Sequence, residues 1–159
     1  MSMFGSYLAT VMELAAGEAQ EAGSATIEAE HLLLAVASER RGTAHKVLRE
    51  AGLDRQTIQR ALEREFTHSL STAGVTVEGG ELPPPKRAAK RPSQLGTSAK
   101  LALERGVTAA SDKQDLQPAH LLLGILQARV GPVPRALGLT GLDREDLVRR
   151  LQRAIAGDG

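Results

Sequence analysis

The sequence predicts an all-α protein in which two pseudo-symmetric four-helix units pack as one domain. Three observations support this fold class. Two sequence motifs recur at one constant shift, apolar residues recur at helical spacing, and the 159-residue chain has only two Phe, one Tyr and no Trp. A core built from Ala and Leu suits short helices that pack closely.

The internal repetition is visible in two motifs. His-Leu-Leu-Leu at residues 31–34 recurs at 120–123, and Gly-Leu-Asp-Arg at 52–55 recurs at 141–144. Both matches need the same shift of 89 residues, so an internal duplication explains them better than chance. We assign structural roles to four residues of these motifs: His31, His120, Gly52 and Gly141.

The first helix of each copy is predicted from its apolar face. In the first copy this face comprises Leu8, Met12, Ala15 and Ala19. Gly23 is placed to end the helix, because glycine readily adopts the left-handed conformation that follows helix C-termini. In the second copy Thr97 is the expected N-cap. The apolar face there comprises Leu101, Leu103 and Val107.

The second helix of each copy carries the Leu-Leu-Leu run, which we expect to be buried nearly all round. Thr26 and Asp115 are the predicted N-caps, because a short polar side chain can accept hydrogen bonds from first-turn amides. His31 and His120 fall at the starts of these helices. Their rings are expected to pack there, with backbone groups as hydrogen-bond partners.

Glycine and aspartate mark the third and fourth helices. The third helix is expected to stop at Gly52 in the first copy and at Gly138 in the second. The fourth helix begins after Asp54 or Asp143 as N-cap. Apolar residues at helical spacing support both helices in both copies: Val47, Leu48, Ile58, Leu62, Ala136, Leu137, Leu147 and Leu151.

Between the copies, residues 67–94 show no apolar face and include a Gly pair and three consecutive prolines. We interpret this stretch as a long flexible linker, extended around the prolines. The expected boundaries are residues 1–66 for the first repeat, 67–94 for the linker and 95–156 for the second repeat.

The linker also holds the one dense cluster of charge: Lys86, Arg87, Lys90 and Arg91. Such a cluster would contact phosphates without reading bases, so a nucleic-acid-associated regulatory protein is the alternative function. A solvated linker is the favoured interpretation, because the formal net charge is only +1 and aromatic residues for base stacking are scarce.

Signals of catalysis are missing from the sequence. It contains no G-x-x-x-x-G-K-[ST] phosphate loop and no recognisable set of nucleophile, base and orienting group. There is no cysteine, and His31 has only Glu30 beside it, so neither a metal nor another cofactor is expected. No apolar stretch reaches the roughly 18 residues that span a bilayer. We expect a noncatalytic cytoplasmic protein.

The doubled unit, with its His-Leu-Leu-Leu helix and its Gly-Leu-Asp start to a fourth helix, resembles the Clp N-terminal repeat domain of Clp-type AAA+ unfoldases. The similarity covers most of the chain outside the linker. It implies a module that receives client peptides and adaptor proteins in front of ATPase modules. Those modules are absent, so we expect a standalone protein or a piece of a larger unfoldase, and the Met1 start favours the former.

The resemblance further implies two ligands known in branches of the family, phosphoarginine and cyclic-peptide antibiotics. The family's phosphoarginine sites combine a Glu before the repeated His with a Thr or Ser at the start of a repeat's first helix. The first copy keeps Glu30, but the family's usual Phe-Thr at the start of the first helix reads Phe4-Gly5-Ser6-Tyr7 here. The second copy keeps Thr97 but has Ala119 where the Glu would be. Neither site is complete, so generic peptide or adaptor binding is the better-supported expectation.

The predicted binding surface is a shallow apolar patch rimmed by charge. Its candidate residues are Phe4, Tyr7, Glu30, Thr97 and Lys100. The two aromatic residues are candidates because such side chains are rare in this chain and often anchor interfaces; the alternative is that they close the end of the core. The predicted function is a protein-binding module that modulates Clp-dependent proteolysis or sequesters its ligands, with a Clp ATPase as a further partner.

Overall fold

A computed structural model of the chain describes residues 3–74 and 86–157. These residues form eight α-helices: α1 (Met3–Glu21), α2 (Ala29–Ser38), α3 (Thr43–Glu50), α4 (Arg55–Thr72), α5 (Thr97–Ala109), α6 (Pro118–Leu126), α7 (Pro132–Leu139) and α8 (Arg144–Gly157). The predicted all-α fold is confirmed, with four helices from each repeat. Within the described ranges, no helix is long and apolar enough to cross a membrane.

Helices α2 and α6 form the centre of the molecule. Every residue from 31 to 37 in α2 and from 119 to 126 in α6 is buried. Helix α2 contacts three helices of the other repeat, α5, α6 and α7, and α6 likewise contacts α1, α2 and α3. One continuous apolar cluster therefore runs through both repeats, which pack as one domain.

Helices α5 and α6 approach each other closely through two glycines. A Cβ atom added to Gly124 would lie 2.6 Å from the amide nitrogen of Gly106. One added to Gly106 would lie 2.8 Å from the carbonyl oxygen of His120. Both distances are shorter than real side chains tolerate, so only glycine allows the two backbones to come this close.

This close approach corrects the predicted apolar face of α5. The buried residues are Ala99, Ala102 and Gly106. Leu101 and Val107, which were expected in the core, are 39% and 44% exposed. Small residues face α6 because the gap between the helices has no room for Leu or Val. Leu101 and Val107 lie on the outer side of α5, and Leu103 is half-buried against the core.

The Gly-Leu-Asp-Arg motif has the same structure in both repeats. Gly52 and Gly141 both have a φ of +77°, the left-handed conformation that glycine favours after a helix. Asp54 accepts a hydrogen bond of 2.8 Å from an amide in the first turn of α4. Asp143 accepts one of 2.9 Å at the start of α8. Helix α7 runs to Leu139, so the predicted stop at Gly138 is one residue early.

Helix α4 continues to Thr72, so the expected linker start at residue 67 is wrong. Glu65, which is 4% exposed, pairs with Arg135 of α7 at 2.7 Å and accepts a hydrogen bond of 2.5 Å from Ser69. The C-terminal part of α4 is stabilised by this contact with the second repeat. Periodicity within residues 67–72 gives no sign of it.

Residues 86–96, which we call the docked segment, lie along α1. The Ala88 amide donates to the Gln20 carbonyl oxygen at 2.8 Å, and Gln20 Nε2 donates to the Ala88 carbonyl oxygen at 3.1 Å. Arg87 forms an ion pair of 2.7 Å with Glu21. The expectation of a flexible linker therefore does not hold for residues 86–94, while residues 75–85 lie outside the described part of the chain.

The end of the docked segment pairs with the loop before α2. Leu95 and Ile27 form a single parallel β-bridge. The Ile27 amide donates to the Gln94 carbonyl oxygen at 2.9 Å, and the Gly96 amide donates to the Ile27 carbonyl oxygen at 2.8 Å. Both main-chain groups of a buried residue, Ile27, are thereby satisfied.

Replacing Gly106 or Gly124 with Ala is expected to lower the free energy of unfolding by about 1–3 kcal/mol, because each added methyl group meets fixed backbone atoms. Gly17 in α1 is the matched control, since a Cβ there would meet only the Arg91 side chain, at 3.7 Å. Gly17→Ala should keep the stability or raise it by up to about 1 kcal/mol through helix propensity. Urea denaturation measures all three, and equal losses at Gly17 and Gly106 would contradict the explanation.

Candidate peptide-binding site

The N-termini of α2 and α5 meet at the carboxylate of Glu28. Ser98 Oγ donates to Glu28 Oε1 at 2.7 Å and accepts a hydrogen bond of 2.8 Å from the Ala29 amide. The Thr26 hydroxyl donates to the other carboxylate oxygen of Glu28. The carboxylate lies against Gly96, where a side chain would collide with it. We call this site the junction and define it by five residues: Glu28, Glu30, Thr97, Ser98 and Lys100.

Glu28 holds the junction together as an ionised carboxylate. Burial by itself would raise its pKa, but hydrogen bonds from Thr26 and Ser98 outweigh that effect and hold the pKa below the usual glutamate range. Glu28 and Ser98 were not among the sequence candidates. The available signal was that both are polar residues at predicted helix starts.

The helix starts at the junction also differ from the predicted N-caps. Helix α2 is capped by Glu28 and not by Thr26, whose hydroxyl is directed to the Glu28 carboxylate. Helix α5 is capped by Gly96, so Thr97 is its first helical residue. Helix α6 is capped by Gln117 and not by Asp115, which belongs to a preceding 3-10 turn.

Glu30 is a half-buried carboxyl group in the first turn of α2. Its pKa is raised mainly by burial, and the negative charges of Glu28 and Glu65 raise it further. A hydrogen bond to its own backbone offsets only part of this effect. The ionised form of Glu30 therefore costs folding free energy, in contrast to that of Glu28.

Thr97 and Lys100 are exposed in the first turn of α5. They flank Ser98, whose hydroxyl contacts the start of α2. The structure thus places three sequence candidates, Glu30, Thr97 and Lys100, on the first turns of two helices that meet. These first turns carry a carboxylate, a hydroxyl and an ammonium group.

Phe4 and Tyr7 lie away from the junction. Tyr7 is 2% exposed, so its expected place on an exposed patch is wrong, and Phe4 is half-buried with its ring centroid 6.2 Å from that of Tyr7. Burial, together with the charge of Glu39, raises the pKa of the Tyr7 phenol. Glu39 follows the C-terminus of α2, whereas Glu30 is in its first turn, about 13.5 Å away along the helix. The aromatic pair closes the opposite end of the core.

His31 and His120 perform the same local task in the two repeats. His31 Nδ1 accepts a hydrogen bond of 2.9 Å from the Glu28 amide, and His120 Nδ1 accepts one of 3.1 Å from the Gln117 amide. Burial lowers the pKa of both rings, which favours the neutral form that such an acceptor requires. Across the described ranges, no three His, Asp or Glu side chains converge as metal ligands would.

Comparison with known proteins identifies the family of this chain. The family described as the Clp repeat (R) N-terminal domain matches residues 3–106, which is well over half of the chain. The chain belongs to the Clp repeat N-terminal domain family. The matched range contains the whole junction and ends within α5.

Individual relatives agree with this assignment. The chloroplastic chaperone protein ClpC1 of Oryza sativa subsp. japonica is 31% identical over 152 residues, which are 93% of this chain but only 16% of that protein. The N-terminal domain of the Clp protease-associated chaperone ClpD from Arabidopsis thaliana has a TM-score of 0.61 at 17% identity, covering 92% of this chain and 90% of that one.

A further solved structure, from work on a malarial protein secretion system, has a TM-score of 0.60 at 16% identity and covers 94% of this chain and 92% of that chain. At such low identity, these two solved structures show that the fold is shared. They carry no information about which ligand this Clp repeat domain binds.

Glu28→Gln and Glu30→Gln are expected to shift stability in opposite directions. The lowered pKa of Glu28 stabilises the fold above the usual glutamate range, and this contribution is lost as the pH falls through the lowered pKa. The raised pKa of Glu30 imposes a cost that develops as the pH rises through the usual range and then persists. At pH 7, Glu28→Gln should therefore lower the free energy of unfolding by about 1–2 kcal/mol, and Glu30→Gln should leave it unchanged or raise it.

Urea denaturation between pH 3 and pH 7, a range set by the usual glutamate pKa of about 4.3, checks both signs. The difference between wild type and each variant at a given pH removes the contribution of groups that do not interact with the replaced carboxylate. His31, whose pKa is lowered by burial and raised in part by the charge of Glu28, still contributes to the Glu28→Gln difference. Parallel curves for the two variants would show that the two carboxylates occupy equivalent environments, contrary to this description.

Proposed function

We propose that the chain is a noncatalytic receiving module that binds client peptides or adaptor proteins at the junction. Membership of the Clp repeat N-terminal domain family supports the protein-binding role. The observation that carries the location is Glu30, a half-buried carboxylate whose ionised form costs stability. A charge retained at such a cost, on a surface where two helices meet, suits ligand binding better than structural support.

The chemistry of the junction favours a ligand that carries two kinds of group: a cation or amide for Glu30, and a carbonyl oxygen or anion for Thr97 and Lys100. Glu30 would accept hydrogen bonds from a cationic side chain or a main-chain amide of the ligand. Thr97 and Lys100 would donate to a carbonyl oxygen or an anionic group. An extended protein segment offers all of these groups.

Phosphoarginine combines a guanidinium with a phosphate, so the junction could hold it through Glu30 and Lys100. The equivalent of Glu30 in the second repeat is Ala119, which is fully buried and carries no charge. We therefore propose protein segments as the general ligand class, with phosphoarginine restricted to the first-repeat carboxylate.

A module of this kind would act on Clp-dependent proteolysis by delivering segments to a Clp ATPase or by withholding them. The chain spans 16% of the ClpC1 relative and its sequence contains no phosphate loop. Any ATP-driven step would then lie outside these 159 residues, and binding is the contribution we assign to them.

The alternative, a nucleic-acid-associated protein, has less support from the basic cluster. Arg87 pairs with Glu21, and the Arg91 guanidinium lies against Gly17 of α1. Two of the four basic side chains are thus engaged within the protein, which leaves Lys86 and Lys90 for phosphate contacts. We give preference to protein ligands on this ground.

Binding to the junction is testable with a labelled, permanently unfolded casein as probe. In fluorescence anisotropy titrations, Glu30→Gln and Lys100→Glu should each weaken binding about fivefold to tenfold, because each removes a charged contact worth about 1 kcal/mol or more. Lys46→Glu is the matched control, since Lys46 is an equally exposed helical lysine on α3. It should bind casein as the wild type does.

Equal weakening by Lys46→Glu and Lys100→Glu would mean that overall charge governs the affinity and would remove the junction from the proposal. A steep loss of casein binding with added salt, accompanied by tight binding to a DNA duplex, would instead favour the nucleic-acid alternative.

A further inference from the structure

Helices α1 and α5 present equivalent surfaces in the two repeats. Their buried positions correspond at a shift of 91 residues, which pairs Val11 with Ala102 and Ala15 with Gly106. The same shift pairs three residues next to them: Met12 with Leu103, Glu13 with Glu104, and Ala16 with Val107. Each helix thus carries an apolar, an acidic and a second apolar residue at matching positions.

The loops that follow these helices add one more apolar residue to each surface. The 89-residue shift of the repeated His pairs Ile27 with Leu116. We define the first groove by four residues that line one pocket: Met12, Glu13, Ala16 and Ile27. We define the second groove by correspondence, as the residues at the matching positions of the other repeat: Leu103, Glu104, Val107 and Leu116.

The first groove is covered by the docked segment of the same chain. Arg91, Pro92 and Ser93 line the groove opposite its four residues. Two residues further on, Leu95 pairs with Ile27. An extended stretch with a basic residue, a proline and an apolar residue therefore fits a surface of this shape and chemistry.

The second groove has no such cover among the described residues. Val107 is 44% exposed and Leu116 is half-buried, whereas their counterparts in the first groove, Ala16 and Ile27, are half-buried and 2% exposed. The acidic residue of each groove, Glu13 or Glu104, is exposed. Within the described ranges, no main-chain amide outside the helices donates to the Leu116 carbonyl oxygen, whereas the Leu116 amide directly follows the 3-10 turn Lys113–Asp115, whose i to i+3 hydrogen-bond pattern takes it up. The same groups of Ile27 are both paired by the docked segment.

We propose that the second groove binds an extended basic segment of a partner protein, laid down as residues 91–95 lie in the first groove. An apolar residue of the partner would donate its main-chain amide to the Leu116 carbonyl oxygen, as an added strand does. A basic side chain would face Glu104, and the exposed Asp112 and Asp115 in the adjoining loop add negative charge for the same partner.

This proposal deepens the proposed function, on which it rests, by adding a second contact surface and a ligand chemistry. The probe for its test is a synthetic peptide with the sequence of residues 86–96, Lys-Arg-Ala-Ala-Lys-Arg-Pro-Ser-Gln-Leu-Gly. The tethered segment has an effective concentration of about millimolar, so the titration of the isotope-labelled protein by NMR extends to millimolar peptide. Saturable shifts are expected at Leu103, Val107 and Leu116.

Val107→Glu should weaken peptide binding at least tenfold, because it places a charge in the apolar part of the groove. Val130→Glu is the matched control, since Val130 is 83% exposed at a position outside both grooves, and it should bind as the wild type does. Glu104→Lys should weaken binding as well, through repulsion of the basic side chain. All three positions are exposed, and circular dichroism verifies that each variant is folded.

The absence of binding at millimolar peptide would overturn the proposal. Shifts confined to Met12, Ala16 and Ile27 would also overturn it, because the peptide would then be exchanging with the docked segment. The proposed function is tested separately. If Glu30→Gln and Lys100→Glu bind casein with the affinity of the wild type, the junction is not the binding site, whether or not the peptide binds at the second groove.

Discussion

Helices α2 and α6 have no solvent-facing side, and the positions of the other helices follow from that constraint. A helix that is apolar all round must be enclosed by protein on every side. The remaining three helices of one repeat do not enclose it, so α2 also contacts α5, α6 and α7, and α6 also contacts α1 and α3. The Leu-Leu-Leu runs therefore need both repeats at once. This explains why the duplication produces one domain with a continuous core.

Local patterns predicted the eight helices because each contains a period and an end signal within its own residues. The same patterns did not predict correctly which face of a helix is buried. Leu101 and Val107 were assigned to the core on hydrophobicity alone, but Gly106 and Gly124 bring α5 so close to α6 that only small residues fit between them. The buried face of α5 is determined by the distance between α5 and α6. The order of apolar residues along α5 alone does not determine that distance.

The candidate site shows the same division. Glu30, Thr97 and Lys100 were predicted from motifs and do lie on helix starts that meet. Glu28 and Ser98, which join those starts, are 70 residues apart in sequence, and neither belongs to a motif that suggests the contact. Tyr7 was misplaced because a rare aromatic near a chain end suits an exposed anchor and a core-closing side chain equally well. Tyr7 belongs to the core and lies near the charges of Glu39 and Arg41, more than 30 residues later in the chain, and no pattern near Tyr7 reveals those neighbours.

A duplicated domain has two equivalent copies of every surface but only one connection between its repeats. Here that connection lies on the first groove and satisfies the main chain of Ile27, so the first groove serves the fold. The second groove keeps the same order of apolar and acidic residues, and no segment of residues 86–96 or of the other described residues takes the equivalent place on it. Symmetry of sequence combined with a single connection thus gives two related surfaces different roles. A surface that the fold does not use for its own stability can accept a partner without unfolding any part of the domain.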